Sequence, residues 1–274
     1  MLVTILILVL IGFVAATFGS LVGLGGGVII VPSLIYLGPA FLNQEISSQT
    51  AVATSLAVLI FTSLSSTLAY KKVKRVDWRS GVLYFVTSGP ASMLGAQLTQ
   101  YFKNDSFELV FGFFMLFMAL LMVMKERMKP LHIHWKENRK FVDGAGITHE
   151  YGHNITLMLV IGFLVGLTSG LFGIGGGSLF VPLMVLLFRY PPHIATATSM
   201  FVIFLSSILG TTVHTWNGAV DWRLVLVLAP SAWIGGKIGA MIANRISGKR
   251  LLLLLRLTLF VLAIRMIVSG FMGS

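Results

Sequence analysis

Two glycine-rich segments hold the residues whose type and spacing are best suited to binding chemistry. The run 23–32 (GLGGGVIIVP) recurs at 173–182 (GIGGGSLFVP), and each copy lies between long apolar stretches. Consecutive glycines leave backbone N–H groups uncovered by side chains, and a helix that follows presents its positive dipole end. The pattern favours binding of a small anion, with close helix packing as the alternative. The candidate N–H donors are Gly25, Gly26, Gly27, Gly175, Gly176 and Gly177.

A second pattern indicates zinc chemistry. The segment His149-Glu150-Tyr151-Gly152-His153 fits H-E-x-x-H, in which two histidines bind zinc and the glutamate acts as base. The motif works only on a helix, which brings both histidines to one face. Glycine at 152 and asparagine at 154 disfavour a helix there, so we expect no metal, no cofactor and no catalytic residue. A membrane-embedded zinc metalloprotease remains the alternative.

The composition is that of an integral membrane protein. Of the 274 residues, 56% are hydrophobic and 11% are charged, and the mean hydropathy is +0.92. Soluble domains carry roughly 25% charged residues. The bilayer is therefore one expected partner, and assembly of several copies is left open. The net charge of +11 is explained by membrane topology below, so no nucleic-acid partner is predicted.

Ten apolar segments divide into two matching halves, 1–124 and 155–274, joined by a polar linker at 125–154. The predicted segments are 2–22, 27–38, 47–70, 80–102, 107–124, 155–172, 177–188, 194–215, 223–243 and 251–271. A span needs about 20 apolar residues, whereas the segment after each glycine motif has only 12. Two short helices at equivalent positions are typical of the discontinuous helices that form transporter binding sites.

The repeat extends beyond the glycines. The tripeptide 53–55 (ATS) matches 197–199, and 76–79 (VDWR) matches 220–223. The hydroxyls of Thr54, Ser55, Thr198 and Ser199 either donate to an anion or bond to their own helix backbone. Aspartates before the WR pairs are good helix N-caps, with a gating salt bridge as the alternative. Residues expected to gate or to shape the structure are Pro32, Asp77, Arg79, Pro182, His214, Asp221 and Arg223.

Lys237 lies inside the predicted segment 223–243, away from both of its ends. A lysine at depth in a membrane faces a bundle interior or a cavity, unless it extends to the interface along its own alkyl chain. Its repeat partner is Gln97. We therefore include Lys237 and Gln97 among the expected substrate-binding residues, as a charged and an uncharged donor.

Basic residues predict that the two halves are inverted. With five segments per half, fifteen basic residues fall on one side of the membrane and two, Lys103 and Arg223, on the other. Cytoplasmic loops carry the excess of Lys and Arg. The expected fold is therefore an all-α polytopic membrane protein with two inverted-topology repeats of about five segments each. It has 8–10 transmembrane segments, two of them short or discontinuous, and a cytoplasmic linker at 125–154.

The chain resembles the TauE/SafE sulfite exporter family in three motifs. These are the doubled G-x-G-G-G with V-P, the A-T-S of the next segment and the V-D-W-R after it. The resemblance covers nearly the whole chain outside the linker. It implies a prokaryotic plasma-membrane carrier for small anions, usually sulfite or organic sulfur anions, working by alternating access. A non-transporting membrane sensor or scaffold of the same fold is a further alternative.

Overall fold

The computed structural model describes residues 2–42, 46–101, 104–127, 137–144 and 146–272. Each of the ten predicted apolar segments corresponds to one helix. The helices are α1 (Leu2–Val22), α2 (Gly27–Leu42), α3 (Ser48–Lys72), α4 (Trp78–Leu98), α5 (Asn104–Arg127), α6 (Ile155–Phe172), α7 (Gly177–Leu187), α8 (Pro192–Trp216), α9 (Trp222–Ala243) and α10 (Gly248–Met272). This is the predicted all-α polytopic membrane architecture, and α1, α3, α6, α8 and α9 are long and apolar enough to cross a bilayer.

Side-chain caps fix the starts of several helices. Asp77 accepts a hydrogen bond from the Ser80 N–H at the start of α4, and Asp221 accepts from the Arg223 and Leu224 N–H groups at the start of α9. Such caps satisfy N–H groups that have no partner within the helix. The structure thus confirms the N-cap interpretation of both aspartates.

The linker contains a β-hairpin that the sequence did not predict. Strands β1 (Glu137–Val142) and β2 (Thr148–His153) pair antiparallel, with Phe141 opposite His149. The H-E-x-x-H pattern lies on β2, where residues four apart are separated by about 13 Å along the strand. The helical placement that zinc binding requires is therefore not met. Among the described residues, no group of three His, Cys, Asp or Glu side chains could hold a metal ion.

Helices α3 and α8 form the centre of the bundle. In an apolar stretch of 18 residues, 78% of the residues of α3 and 72% of those of α8 are buried, against 28% for α1. Around them, α1 packs on α9, α4 packs on α6, and α5 packs on α10. The polar side chains inside the bundle are mostly Ser and Thr hydroxyls. Some of them bond to the backbone of the same or a neighbouring helix, as Thr62 does to Val58.

The two short helices turn back beside the helices that precede them. Leu8 and Ile11 of α1 face Leu34 and Leu37 of α2 across a small cavity, so α2 runs back along α1. In the second half, Phe188 at the end of α7 accepts a hydrogen bond from Gly152, just before α6 begins. Each pair of helices therefore begins and ends at the same end of the bundle. This differs from the expected five separate crossings per half, but it preserves the odd number of net crossings that the charges require.

Small residues allow the helices of the bundle to pack backbone to backbone. A Cβ added at Gly166 of α6 would collide with the carbonyl of Ser88 on α4, and one added at Gly239 of α9 would collide with the carbonyl of Thr17 on α1. Membrane helices associate largely through such close contacts, since lipid offers no hydrophobic driving force between helices. These two interfaces depend on glycine at the crossing points.

We predict that Gly166→Val lowers the free energy of unfolding by about 1–3 kcal/mol, because the added side chain overpacks a backbone contact. Gly210→Ala is the control, since its Cβ would meet only the tip of Leu56 at 3.2 Å. Thermal unfolding of the two variants in detergent tests this. Equal melting temperatures would show that the α4–α6 crossing tolerates separation.

Candidate functional site

The two glycine motifs meet at mid-depth of the bundle. Gly25 and Gly175 both lie against Leu59 and Ile203, the middle residues of α3 and α8. All residues of 23–28 and 173–178 are buried. Gly25, Gly26, Gly175 and Gly176 have φ values of 82°, 105°, 72° and 73°, a region that glycine adopts far more readily than other residues. The breaks predicted from sequence are therefore present in both halves and are adjacent.

Each half satisfies the broken backbone of the other. The Ser55 hydroxyl donates to the Gly173 carbonyl (2.8 Å), and the equivalent Ser199 hydroxyl donates to the Gly23 carbonyl (3.1 Å). From sequence, these serines were expected either to donate to an anion or to bond to their own helix backbone, whereas the structure shows both bonded to carbonyls of the opposite motif. Ser199 also donates to its own helix at Thr196.

The adjacent threonines make a second reciprocal pair. The Thr54 hydroxyl accepts from the Asp221 N–H, and the Thr198 hydroxyl accepts from the Asp77 N–H, both at 3.1 Å. Each bond joins a residue near the start of one central helix to the segment that follows the end of the other central helix. Helices α3 and α8 therefore run antiparallel. We call the end where α3 stops and the hairpin lies the linker end, and the other the far end.

Unpaired donors remain at the crossing. In each motif the last glycine, Gly27 or Gly177, starts a helix, and N–H groups of a first turn have no acceptor within it. No hydrogen bond is found for the N–H of Gly27, Val28, Gly177 or Ser178 within the described chain. These N–H groups lie at the positive ends of α2 and α7, so the crossing has the electrostatics of an anion site.

Three hydroxyls that the sequence analysis did not single out adjoin this region. The side chains of Ser169, Ser178 and Thr196 are buried and have no hydrogen-bond partner within the described chain. Ser178 is in the first turn of α7, the β-carbon of Ser169 faces Gly176, and the backbone of Thr196 adjoins Gly23. Their repeat counterparts are Val28, Gly19 and Val52. Comparing the two copies residue by residue would have revealed them, because all three hydroxyls occur in the second half only.

Gln97 and Lys237 do not join this crossing. Gln97 is exposed and accepts a hydrogen bond from Asn217 (2.9 Å) at the far end. Lys237 is exposed and lines a cavity beside α3 and α9 together with Lys71 and Lys72. Both side chains point outward because their helices present the opposite faces, at Gly95 and Gly236, to neighbouring helices. Neither makes a described contact with a glycine motif.

Other expected gating or structural residues occupy matching positions in the two halves. In the second half, a ring nitrogen of His214 lies 3.5 Å from the Gly170 carbonyl. At the equivalent position of the first half, the Tyr70 hydroxyl donates to the Ser20 carbonyl (2.8 Å). Pro182 is inside α7, and Pro32 is at the equivalent point of α2. A proline there removes one helical hydrogen bond. The side chains of Arg79 and Arg223 are exposed at the linker end and the far end respectively.

The hairpin is bonded to the linker end through Asp77. This carboxylate is 1% exposed and accepts two hydrogen bonds from Arg139 of β1, at 2.6 and 2.5 Å. It also accepts from the Tyr151 and Ser80 hydroxyls, both at 2.6 Å. Burial alone would raise the pKa of Asp77, but the hydrogen bonds from these donors outweigh it and hold the pKa below its ordinary value. Asp77 is thus both the N-cap and half of a buried ion pair.

Aromatic rings extend this contact into the bundle. Tyr151 packs on Tyr190 with ring centroids 3.9 Å apart, and Tyr190 and Tyr84 each contact Phe188 edge to face. Burial raises the pKa of Tyr151 and of Tyr190, so both stay protonated. The hairpin is therefore attached to α4, α7 and α8 together.

The far end is arranged differently. Asp221 caps α9 but pairs with no cation within the described chain. Around it lies an open recess of about 430 Å³ lined by Thr50, 218–222 and Arg223. The two equivalent VDWR segments, 76–79 and 220–223, thus have different surroundings. The hairpin packs against the first, and an open recess adjoins the second.

Sequence comparisons identify the family to which the chain belongs. A model of the family described as sulfite exporter TauE/SafE matches residues 8–266. The chain belongs to the TauE/SafE sulfite exporter family. It is similar to the probable membrane transporter protein YunE of Bacillus subtilis, with 46% identity over 96% of this chain and 97% of that protein.

The chain is also similar to a second protein at lower identity. The probable membrane transporter protein MJ0441 of Methanocaldococcus jannaschii is 28% identical over 95% of this chain and 94% of that protein. No solved structure matches the chain. Membership in the TauE/SafE family and these relatives indicate a multi-pass membrane transporter rather than an enzyme.

We predict that Asp77→Asn weakens docking of the hairpin by about 1–3 kcal/mol, since the Arg139 guanidinium loses a charged acceptor. Amide hydrogen exchange in β1 and β2 should accelerate by about fivefold or more. Glu150→Gln is the matched control, because its ion pair with Lys140 is exposed and such pairs contribute little to stability.

Acid should reproduce the effect of this substitution. The pKa of Asp77 is lower in the folded protein, so its contribution is present above about pH 4 and is lost as pH falls through the folded value. Hairpin protection that is equal in Asp77→Asn and Glu150→Gln at neutral pH would contradict the role of Asp77.

Proposed function

We propose that this protein carries small oxyanions, sulfite or an organosulfonate, across the plasma membrane of a prokaryote by alternating access between its two halves. Family membership supports transport, and the site supports an anion. The observation that carries the proposal is the crossing of the two glycine motifs, where buried N–H groups and hydroxyls without acceptors converge.

The donors at the crossing suit a tetrahedral or pyramidal oxyanion. Helix N-termini attract anions through their N–H groups and dipole, and the hydroxyls of Ser178 and Thr196 add donors on the second half. No carboxylate lies among the motif residues 23–28 and 173–178. A sulfonate or sulfite has several acceptor oxygens, so it could engage both motifs at once. The glycines of the two motifs thus remain the proposed binding residues, joined by these two hydroxyls.

Inverted repeats give this site access to either side. The reciprocal bonds of Thr54 and Thr198, and the antiparallel central helices, support two halves related by an axis in the membrane plane. In the described structure the motif residues are enclosed, with the hairpin over the linker end and a recess at the far end. We infer that relative motion of the halves opens the site to one end at a time.

The linker end faces the cytoplasm in this proposal. With α1–α2 and α6–α7 turning back, the fifteen basic residues counted from sequence still fall on the linker side, and Lys103 and Arg223 fall on the far side. The positive-inside rule then places the hairpin in the cytoplasm.

Removing the hydroxyls tests the site. We expect Thr196→Val and Ser178→Ala each to weaken sulfite or sulfonate binding about ten- to a hundredfold, the loss of a hydrogen bond to a charged group. Thr196→Val is isosteric and installs the residue of the first half. Equilibrium titration of purified protein with sulfite, taurine, thiosulfate and short carboxylates measures the effect. These variants are cleaner than Gly26→Val, whose Cβ would collide with the Ala15 backbone.

Thr211→Val is the matched control, since its hydroxyl is also buried on α8 without a described partner but lies far from the motifs in sequence. Unchanged affinity in both test variants, with melting preserved, would place the anion elsewhere and overturn the proposed site. Equal losses in the control would indicate a general effect of altering α8.

Topology is tested by cysteine labelling, which the absence of native cysteine makes clean. We expect cysteine replacing the exposed Lys74 to react with a membrane-impermeant reagent only after the membrane is opened. Cysteine replacing Trp216, which is 90% exposed, should react in intact cells. Labelling of both positions from the same side would refute the inversion.

A further inference from the structure

A cavity of about 700 Å³ lies at the linker end, outside the helical bundle's core. It is formed by the last turn of α3 and the facing part of α9. The lining residues are Ser65, Leu68, Ala69, Lys71, Lys72, Val73, Trp233, Lys237, Met241 and Asn244. It is separate from the glycine crossing, which is enclosed between α3 and α8.

The cavity combines positive charge with an apolar wall. Lys71, Lys72 and Lys237 contribute three ammonium groups, and no carboxylate is among the lining residues. Within the described chain none of these lysines forms an ion pair. Lys71 and Lys72 also occupy the last turn of α3, where cations are favoured by the helix dipole. The site therefore attracts an anion.

The apolar wall determines what kind of anion. Leu68, Trp233 and Met241 are 44%, 38% and 46% exposed, and they lie on membrane-spanning helices beside the lysines. A free inorganic ion would leave this surface uncovered. An amphiphile would place its acyl chains on the wall and its head group among the ammonium groups and the Asn244 amide.

The corresponding surface at the far end lacks the charges. The repeat counterparts of Lys71, Lys72 and Lys237 are Thr215, Trp216 and Gln97. Only the linker end therefore carries this combination. Anionic lipids are attracted by clusters of Lys and Arg on the cytoplasmic side of spanning helices, which matches the side where the remaining basic residues lie.

We propose that this cavity binds an anionic phospholipid, with the phosphate of the head group between Lys71, Lys72 and Lys237. The assignment gives Lys237 a ligand other than the transported anion. It does not depend on which anion is carried.

The test is lipid binding to the purified full chain in a neutral detergent, followed by native mass spectrometry. We expect phosphatidylglycerol to bind more tightly than phosphatidylcholine of the same acyl chains. Lys237→Gln should weaken phosphatidylglycerol binding about fivefold, the contribution of one basic residue near an anionic surface. The triple variant Lys71→Gln, Lys72→Gln, Lys237→Gln should abolish the preference.

The control is a second triple variant that also removes three positive charges at the linker end. Lys74→Gln, Lys249→Gln, Arg250→Gln removes three exposed cations that do not line the cavity, and it should keep the preference. Trp233→Ala should weaken phospholipid binding and leave any binding of inorganic phosphate unchanged, which separates a lipid from a free anion.

Three results would overturn the proposal. These are equal affinity for the two lipids, equal loss in the control triple variant, or competition by millimolar inorganic phosphate that removes all bound phosphatidylglycerol. A loss of sulfite binding in Lys237→Gln with lipid binding intact would instead return Lys237 to the transport route. If the triple variant fails to fold, the single Lys237→Gln variant decides the outcome.

Discussion

The structure depends on how an interrupted backbone is satisfied in the middle of a membrane protein. A buried carbonyl or N–H without a partner costs several kcal/mol in an apolar medium, and each glycine motif exposes several. Here the carbonyls of Gly23 and Gly173 are bonded by Ser199 and Ser55 from the other motif's half. Each half therefore supplies a hydrogen bond to the interrupted backbone of the other, through the serine of its ATS tripeptide.

The same contacts bear on the packing interpretation of the glycines. A Cβ at Gly27 would collide with the Gly173 carbonyl, and one at Gly177 with the Gly23 carbonyl, so these glycines are required for packing. They also begin α2 and α7, whose first N–H groups remain unpaired. In the proposed function, close packing and anion binding both depend on one geometry, because close approach of the motifs is what brings two helix N-termini together.

Features that depend on neighbouring residues in the chain could be predicted from the sequence, whereas contacts between helices could not. Segment ends, the two breaks and the caps at Asp77 and Asp221 follow from hydropathy, glycine and short polar side chains, all of which act within a few residues. The orientation of Lys237 required knowing which face of α9 meets α1 and α3, and glycines at 235, 236 and 239 mark that face only after the neighbours are known. The partners of Ser55 and Ser199 lie more than 100 residues away, and local patterns carry no information on such pairs. The hairpin was missed because its strands are polar and short, and because the bonds that hold it come from Asp77 and Tyr190 rather than from its own composition.

Asymmetry between the halves has a mechanistic consequence. A carrier built from two equivalent halves has two conformations related by the pseudo-symmetry, and identical halves would give them similar free energies. Asp77 is bonded by Arg139 and Tyr151, whereas Asp221 only caps its helix. A contact worth about 1–3 kcal/mol in one conformation shifts the equilibrium about 5- to 150-fold toward it. In the proposed cycle the hairpin therefore biases the protein toward closure at the linker end, and the anion must supply differential binding energy to open it. The linker, which has no counterpart in the repeat, is then the part of the chain that sets the resting direction of the carrier.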